Sequence, residues 1–401
     1  MTDTEAISEI TDYPQDRRDR IVPSPGLARL GADGPGRIRL EHGHTPWLLT
    51  RYADVRAALA QSATSADVTD PDLPRVGPLI PGPNLMSFLK MDEPDHGRLR
   101  RMVTAEFTHR RVQALRPRIE AQVEGLLDEL ADREPPLDLL REYAMAVPSR
   151  VVSELFGIPA GDRAMVQSVS ETIASSTADP ADAAQAFGRL TAYLDQLTAR
   201  YEAEPEDNLL GRVAERYVAP GELSHEEFVA MARLLVVAGH ETTAQMIALS
   251  VLALLAAPAE LAKLRADPGL WSGAVDELLR FLSITQVGVV RLVTGDVEIG
   301  GCPMGRGDGF EVSLPAANHD PSVFPEPGRL DVERDASAHL AFGHGVHQCL
   351  GRSLAKAELE TALRGLLTRF PGLRLAVGED EIGYRTRHDF VFGVHELPVT
   401  W

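Results

Sequence analysis

Apolar residues run almost without a break from Met231 to Ala257, with neither the one-sided spacing of a surface helix nor the alternation of a half-buried strand. Ser224 stands three residues ahead of Glu227, the capping-box pattern that opens a helix. One helix is therefore predicted from His225 to about Ala257, spanning roughly 50 Å at about 1.5 Å per residue. A helix apolar on every side is buried on every side. Arg233, His240 and Glu241 interrupt the run and argue against a membrane span. Pro258 stops this helix, and Trp271–Leu282 forms another.

Elsewhere the pattern is coarser. Arg110 to Gly211 reads as Ala- and Leu-rich helices broken at Pro135-Pro136, Pro159, Pro180 and Pro205, with no strand signal. Trp47-Leu48-Leu49 is a short strand candidate and Asp54–Gln61 a short helix. Val287–Ile299 is the clearest strand region, Gly305–Gly309 reads as a hairpin turn, and Pro315–Asp335 as a proline-rich coil. Arg352–Phe370 reads as a helix, and the last thirty or so residues alternate like strands. The fold class expected is mainly α with smaller β-sheets (α+β), built around one long buried helix. Residues 1–36 read as a loosely held arm ahead of a single domain over 37–401. Residues 62–90 mix turn formers with Leu79, Ile80, Leu85 and Met86, a functional lid or a plain surface loop.

Composition narrows the class. A hydrophobic share of 44% supplies a sizeable core, and aromatics at 5% leave aliphatic side chains to fill it. The net charge of -19 argues against nucleic acid or an anionic membrane as a global partner. Cys302 and Cys349 are too few for a disulfide framework and suit a reducing cytoplasm. Met1–Arg20 lacks the apolar core of a signal peptide or anchor, so a soluble cytoplasmic protein is expected.

Candidate chemistry gathers in a few stretches. Phe342-Gly343-His344-Gly345-Val346-His347-Gln348-Cys349-Leu350-Gly351 sets a cysteine just ahead of a helix, where thiolate and metal ligation are favoured. Read alone, Cys349 is also a candidate core residue or zinc ligand, although His344, His347 and Cys349 have a spacing unlike paired zinc clusters. Ala238-Gly239-His240-Glu241-Thr242-Thr243 puts a carboxylate and hydroxyls inside a buried helix, which costs stability unless they find partners or serve a purpose. A hydrogen-bonded kink is the structural alternative. His96 and Arg100 sit four apart on one helix face, a functional pair or an ordinary basic face. Glu277 and Arg280, among Val275, Leu278, Leu279 and Phe281, suggest a buried ion pair. Arg291 stands in an apolar strand.

In their order these motifs resemble the cytochrome P450 monooxygenases, over about Asp92–Trp401. Phe-Gly-x-Gly-x-His-x-Cys-x-Gly is similar to that family's haem-binding loop, and Ala-Gly-x-Glu-Thr-Thr to its oxygen-activation motif. The resemblance implies a P450-like fold with the long helix over haem b, and Cys349 as axial iron ligand. Phe342, Gly343 and Gly351 would shape the loop, while Ala238 and Gly239 keep the helix thin. His96, Arg100, Arg291 and His347 would meet the haem propionates, because buried carboxylates need cationic donors. Thr242 would hold dioxygen and a water, and Glu241 would relay protons. Glu277–Arg280, completed by Arg329 or Arg334, would brace the haem loop. His319 departs from the arginine that relatives often carry there.

The activity implied is insertion of one atom of dioxygen into a bulky hydrophobic natural product. No flavin or nicotinamide fingerprint occurs, so two electrons from NAD(P)H would arrive through a separate ferredoxin reductase and ferredoxin. The ferredoxin is expected at Arg98, Arg101, Arg110, Arg111, Arg352 and Lys356. Phe88, Leu89, Val237, Ala238, Val287, Val289 and Phe390 are the expected substrate-lining residues. Epoxidation, oxidative coupling and a non-catalytic haem sensor are the alternatives; the Glu-Thr-Thr set has no reason in the last.

Overall fold

The computed structural model describes residues 9–10, 13, 17, 21–24, 26–27, 31, 34–40, 43–75, 87–174, 178–386 and 389–401. Leu79, Ile80, Leu85 and Met86 of the expected lid lie outside the described residues. In chain order the strands are β1 (Glu9–Ile10), β2 (Gly36–Ile38), β3 (Trp47–Leu49), β4 (Thr64–Ser65), β5 (Leu137–Asp138), β6 (Val290–Val293), β7 (Val297–Ile299), β8 (Cys302–Met304), β9 (Gly309–Val312), β10 (Arg374–Leu375) and β11 (Pro398–Thr400). The rest of the regular structure is helical.

The chain forms two compact units. The first comprises residues 1–81, 252–349 and 384–393. Its six-stranded sheet has the order β1-β2-β3-β9-β6-β4. β3 pairs in parallel with β9, setting Trp47 opposite Phe310, Leu48 opposite Glu311 and Leu49 opposite Val312. Successive side chains point to opposite faces. Trp47, Leu49, Phe310 and Val312 therefore join one core with Val55, Leu59 and Leu340, while Leu48 packs on the other face with Ile38, Leu40 and Tyr13.

Three local expectations change here. The strand begins at Val290 rather than Val287, because Gly288 has φ +83 and cannot continue a ladder. The hairpin is at Gly300-Gly301 (φ +63 and +78), between β7 and β8. Gly305–Gly309 is a turn that carries the chain from β8 to β9 in a different sheet. In the proline-rich stretch, Leu314–Asn318 is a short helix whose first turn is capped by the Ser313 hydroxyl accepting from the Ala316 amide at 3.3 Å.

The second unit comprises residues 82–251, 350–383 and 394–401. It contains helices Asp95–Thr104, His109–Ala131, Ala146–Phe156, Pro180–Ala203 and Arg352–Arg369 and a small sheet of order β10-β11-β5. β5 was not expected: two residues carry no alternation, and the strand exists because Leu137 pairs with Val399 far along the chain. Among the described residues of the last thirty, only β10 and β11 are strands; a short helical turn covers Glu379–Glu381.

The long helix is His225–Ala256. Its capping box is present: the Glu227 amide donates to Ser224 Oγ at 3.2 Å and the Ser224 amide to Glu227 Oε2 at 3.0 Å. Pro258 ends it by opening the next helix, Pro258–Ala266. The helix is long and apolar enough to cross a membrane, but 72% of its most apolar window is buried inside the chain. Between Phe228 and Leu254 every residue is buried except Leu235, Val237, Ala238, Gly239 and Thr242. Four of these, at 235, 238, 239 and 242, lie on one helical face.

Candidate active site

The cysteine loop belongs to the first unit. Leu340 anchors it in the core, and the Gly343 amide donates to the Leu340 carbonyl at 2.8 Å. A short turn over Gly345–His347 brings the chain back so that the Cys349 amide donates to the Phe342 carbonyl at 2.9 Å. Gly343 and Gly345 have φ +68 and +74, and a Cβ on Gly345 would stand 2.1 Å from the Leu59 carbonyl oxygen. Glycine is required at 345 on both counts. Cys349 is exposed, and neither it nor Cys302 forms a disulfide. Phe342 packs on His339, ring centroids 5.6 Å apart, and His347 is half-buried. Among the described residues no three His, Cys, Asp or Glu side chains are placed to hold a metal, so His344, His347 and Cys349 do not form a zinc cluster.

Behind the loop, Arg280 and Glu277 are wholly buried and bonded twice, at 2.6 and 2.8 Å. Arg280 Nη1 also donates to the Asn318 and Pro327 carbonyls, each at 2.9 Å. Arg334 completes the set, its Nε 3.2 Å from Glu277 Oε1, while Arg329 stays at the surface with Asp331. Asn318 links this network to the loop, since its Oδ1 accepts the Leu340 amide at 2.6 Å. Removing one partner of a buried pair strands the other charge. Glu277→Ala is expected to lower stability by about 3–5 kcal/mol, against under about 0.5 kcal/mol for Arg329→Ala, in denaturant unfolding. Equal effects would refute the assignment. His319 is buried, its Nδ1 3.0 Å from the Pro315 carbonyl, and burial with the nearby Arg280 charge pushes its pKa down to about 3. The ring is therefore neutral.

Also in this unit, Arg291 is half-buried and donates to the Val290 carbonyl at 2.7 Å. Val287 is buried, Val289 half-buried and Phe390 54% exposed.

In the second unit, His96 is buried on helix Asp95–Thr104, with its Nδ1 3.1 Å from Glu93 Oε1. That imidazole, then the Gly97 amide, hold the Glu93 carboxyl below its ordinary range. Phe88 is buried with its ring 6.5 Å from that of His96; Leu89 and Arg100 are half-buried. On the long helix Ala238 is exposed and Val237 half-buried. The Thr242 hydroxyl donates to the Ala238 carbonyl at 2.9 Å. Glu241 is buried and its Oε1 accepts from Gln245 Nε2 at 3.1 Å. Gln245 also exchanges hydrogen bonds with the Val394 backbone, at 2.9 and 3.2 Å. His240 turns inward to the Val236 carbonyl at 2.6 Å, and burial depresses its pKa, so it stays neutral. Gly239 is thin for a local reason: a Cβ there would meet Val152 Cγ2 at 3.2 Å. Gly351, before helix Arg352–Arg369, has φ -80 and an open surrounding, so no backbone constraint demands it.

Gln245 and Asn318 were not singled out from sequence. Gln245 had a readable signal, a polar residue four positions beyond Glu241 on the same face of an apolar helix. Asn318 had none, because its partners come from two distant segments.

The cytochrome P450 family model matches residues 270–381. Cytochrome P450-SU2 of Streptomyces griseolus is 43% identical over 383 residues, covering 94% of each chain. The vitamin D3 dihydroxylase of the same organism is 40% identical over 409 residues, covering 100% of both. Among solved structures, the mycinamicin VIII C21 methyl hydroxylase MycCI of Micromonospora griseorubida, bound to mycinamicin VIII, matches with TM-score 0.91 and 38% identity over 98% of this chain and 100% of its own. The solved relatives and the buried long helix interrupted by Glu241 and Thr242 agree: the chain belongs to the cytochrome P450 family of monooxygenases, whose cofactor is a haem iron.

Proposed function

We propose that this protein is a cytoplasmic hydroxylase of a bulky hydrophobic natural product, using haem b, dioxygen and two electrons from a ferredoxin and its reductase. The observation that carries this is the accessible face Leu235, Ala238, Gly239, Thr242 on a helix otherwise buried from Phe228 to Leu254. The small residues Ala238 and Gly239 at the middle of that face suit a flat group and an apolar guest, and the exposed Cys349 thiol suits an iron ligand. Cys349 would hold the iron, with His96, Arg100, Arg291 and His347 on the propionates and Phe342, Gly343 and Gly351 shaping the loop. Haem supplies the activation of dioxygen that lets one oxygen atom enter a C–H bond. Val237, Val289, Phe390, Phe88 and Leu89 would line the site and keep water from the apolar guest. Glu241, with one carboxyl oxygen accepting from Gln245, would relay protons, and Thr242 would offer its hydroxyl hydrogen once released from Ala238.

The size of the guest follows the relatives, one named for vitamin D3 and one bound to mycinamicin VIII. For the ferredoxin, Arg101, Arg110 and Arg352 are exposed, Arg98 is bonded to Glu227 and Arg111 lies 3.4 Å from Glu106. An acidic ferredoxin docking on this basic set should make turnover fall as salt rises. Titration with vitamin D3 and with a macrolide is expected to shift the haem absorption band for at least one. With a surrogate ferredoxin, oxygen-dependent NADPH consumption should then yield a product one oxygen atom heavier. No shift and no oxygen-dependent turnover across such compounds would overturn the proposal. Epoxidation or oxidative coupling is the second reading, favoured by a Thr242 hydroxyl already engaged within its helix; the product's structure decides between them.

A further inference from the structure

Tyr13 and Arg17, in the stretch that composition makes a loose arm, run into the first unit. Tyr13 Oη donates to Glu311 Oε1 at 2.9 Å, and the same oxygen accepts the Gly288 amide at 2.8 Å. Glu311 lies on β9 opposite Leu48, on the sheet face that carries Tyr13, Ile38 and Leu40. It is wholly buried, its Oε2 has no hydrogen-bond partner, and burial pushes its pKa up to about 7. A carboxyl group in an apolar strand costs stability and adds nothing to the ladder. What it does is join the arm to Gly288.

Arg17 makes a second attachment. Its guanidinium donates to the Leu282 and Ser283 carbonyls at 2.6 and 2.8 Å and lies 3.9 Å over the Phe392 ring. The segments it touches are stitched together. The Phe392 amide donates to the Ile284 carbonyl at 2.7 Å and the Gln286 amide to the Phe390 carbonyl at 3.1 Å. Gln286 Nε2 donates to the Thr386 and Asp389 carbonyls, each at 2.8 Å. A Cβ on Gly288 would stand 3.2 Å from Phe390 Cδ2, so the Phe390 ring rests on the glycine that Glu311 holds.

We infer that Tyr13 and Arg17, acting through Glu311 and the Ser283–Gly288 turn, are positioning residues that set where Val289 and Phe390 stand and so tune which apolar guests are accepted. This rests on the reading of Val289 and Phe390 as pocket lining. Full-length haem-loaded protein is compared as wild type, Tyr13→Phe, Arg17→Met, Glu311→Leu and Glu311→Gln. Two readouts are used: amide hydrogen exchange over 284–290, and binding of imidazole and of 4-phenylimidazole followed in the haem absorption band.

Tyr13→Phe and Glu311→Leu are expected to speed exchange over 284–290 about tenfold, the worth of one buried hydrogen bond. Affinity for 4-phenylimidazole should change by about the same factor while that for imidazole holds. Arg17→Met should do the same through residues 282–284. Glu311→Gln keeps an acceptor oxygen for both donors and should restore wild-type behaviour, which a general loss of stability would not. Wild-type exchange and wild-type azole affinities in Tyr13→Phe and Arg17→Met overturn the inference, whether or not Glu311→Leu folds. If neither azole perturbs the wild-type band, the haem-pocket reading fails instead, and exchange still judges the attachment.

Discussion

Cys349→Ala is expected to abolish the absorption band that thiolate-ligated haem gives in its reduced carbon monoxide complex, and turnover with it. Cys302→Ala should keep both. The two thiols differ in setting. Cys349 is exposed at the end of a loop whose backbone is closed on itself by the Phe342 carbonyl, just ahead of helix Arg352–Arg369. An accessible thiol can reach a metal, whereas a covered one cannot. Cys302 is half-buried in β8, and burial raises its thiol pKa. A Cys349→Ala protein that retained the band would end the assignment of the loop. Loss of the band in Cys302→Ala alone would move the ligand to the other cysteine.

The second large effect concerns Thr242 and Glu241. Thr242→Ala should leave substrate binding intact and divert most electrons to hydrogen peroxide, so that product formed per NADPH collapses. Glu241→Gln should slow turnover by about two orders of magnitude, the usual worth of a positioned general acid, with a milder loss of coupling. The geometry permits another outcome. The Thr242 hydroxyl donates to the Ala238 carbonyl, and Glu241 is bound by Gln245. If those bonds are the whole role of both side chains, the substitutions lower stability and leave coupling unchanged. Product per NADPH, measured beside the unfolding midpoint of each variant, decides. Gln245→Leu sharpens the test: it removes one donor to the Glu241 carboxyl while keeping the carboxyl, and should slow turnover less than Glu241→Gln.

Much of this was readable along the chain where the physics is local. Ser224 and Glu227 are three residues apart, and their reciprocal hydrogen bonds follow from that spacing alone. The unbroken apolar run after Phe228 needs only counting to become a buried helix. The left-handed backbone at Gly343 and Gly345 suits the residue type at both positions. What failed was non-local. Val287 carries a strand residue's side chain, but strand pairing starts only at Val290, where Glu311 is available opposite. β5 is invisible until Val399 arrives. Arg334 and Arg329 are equivalent in sequence, and only the turn between them settles which one reaches Glu277. Two residues of the 1–36 stretch follow the same rule: Pro, Gly and charge describe its composition, whereas Tyr13 and Arg17 find partners roughly 270 to 300 residues away.

The buried ion pair bears on how the first unit assembles. Glu277 and Arg280 meet within one helix, yet their remaining partners lie 38 to 57 residues further on, at Asn318, Pro327 and Arg334. Until those carbonyls and that second guanidinium arrive, dehydrating the helix leaves charges with too few bonds. The stretch from Trp271 to Arg334 therefore has no comfortable halfway state. It is expected to close in a single cooperative step, so that loss of Glu277, Arg280 or Arg334 shows as opening of the whole block rather than as fraying at one edge.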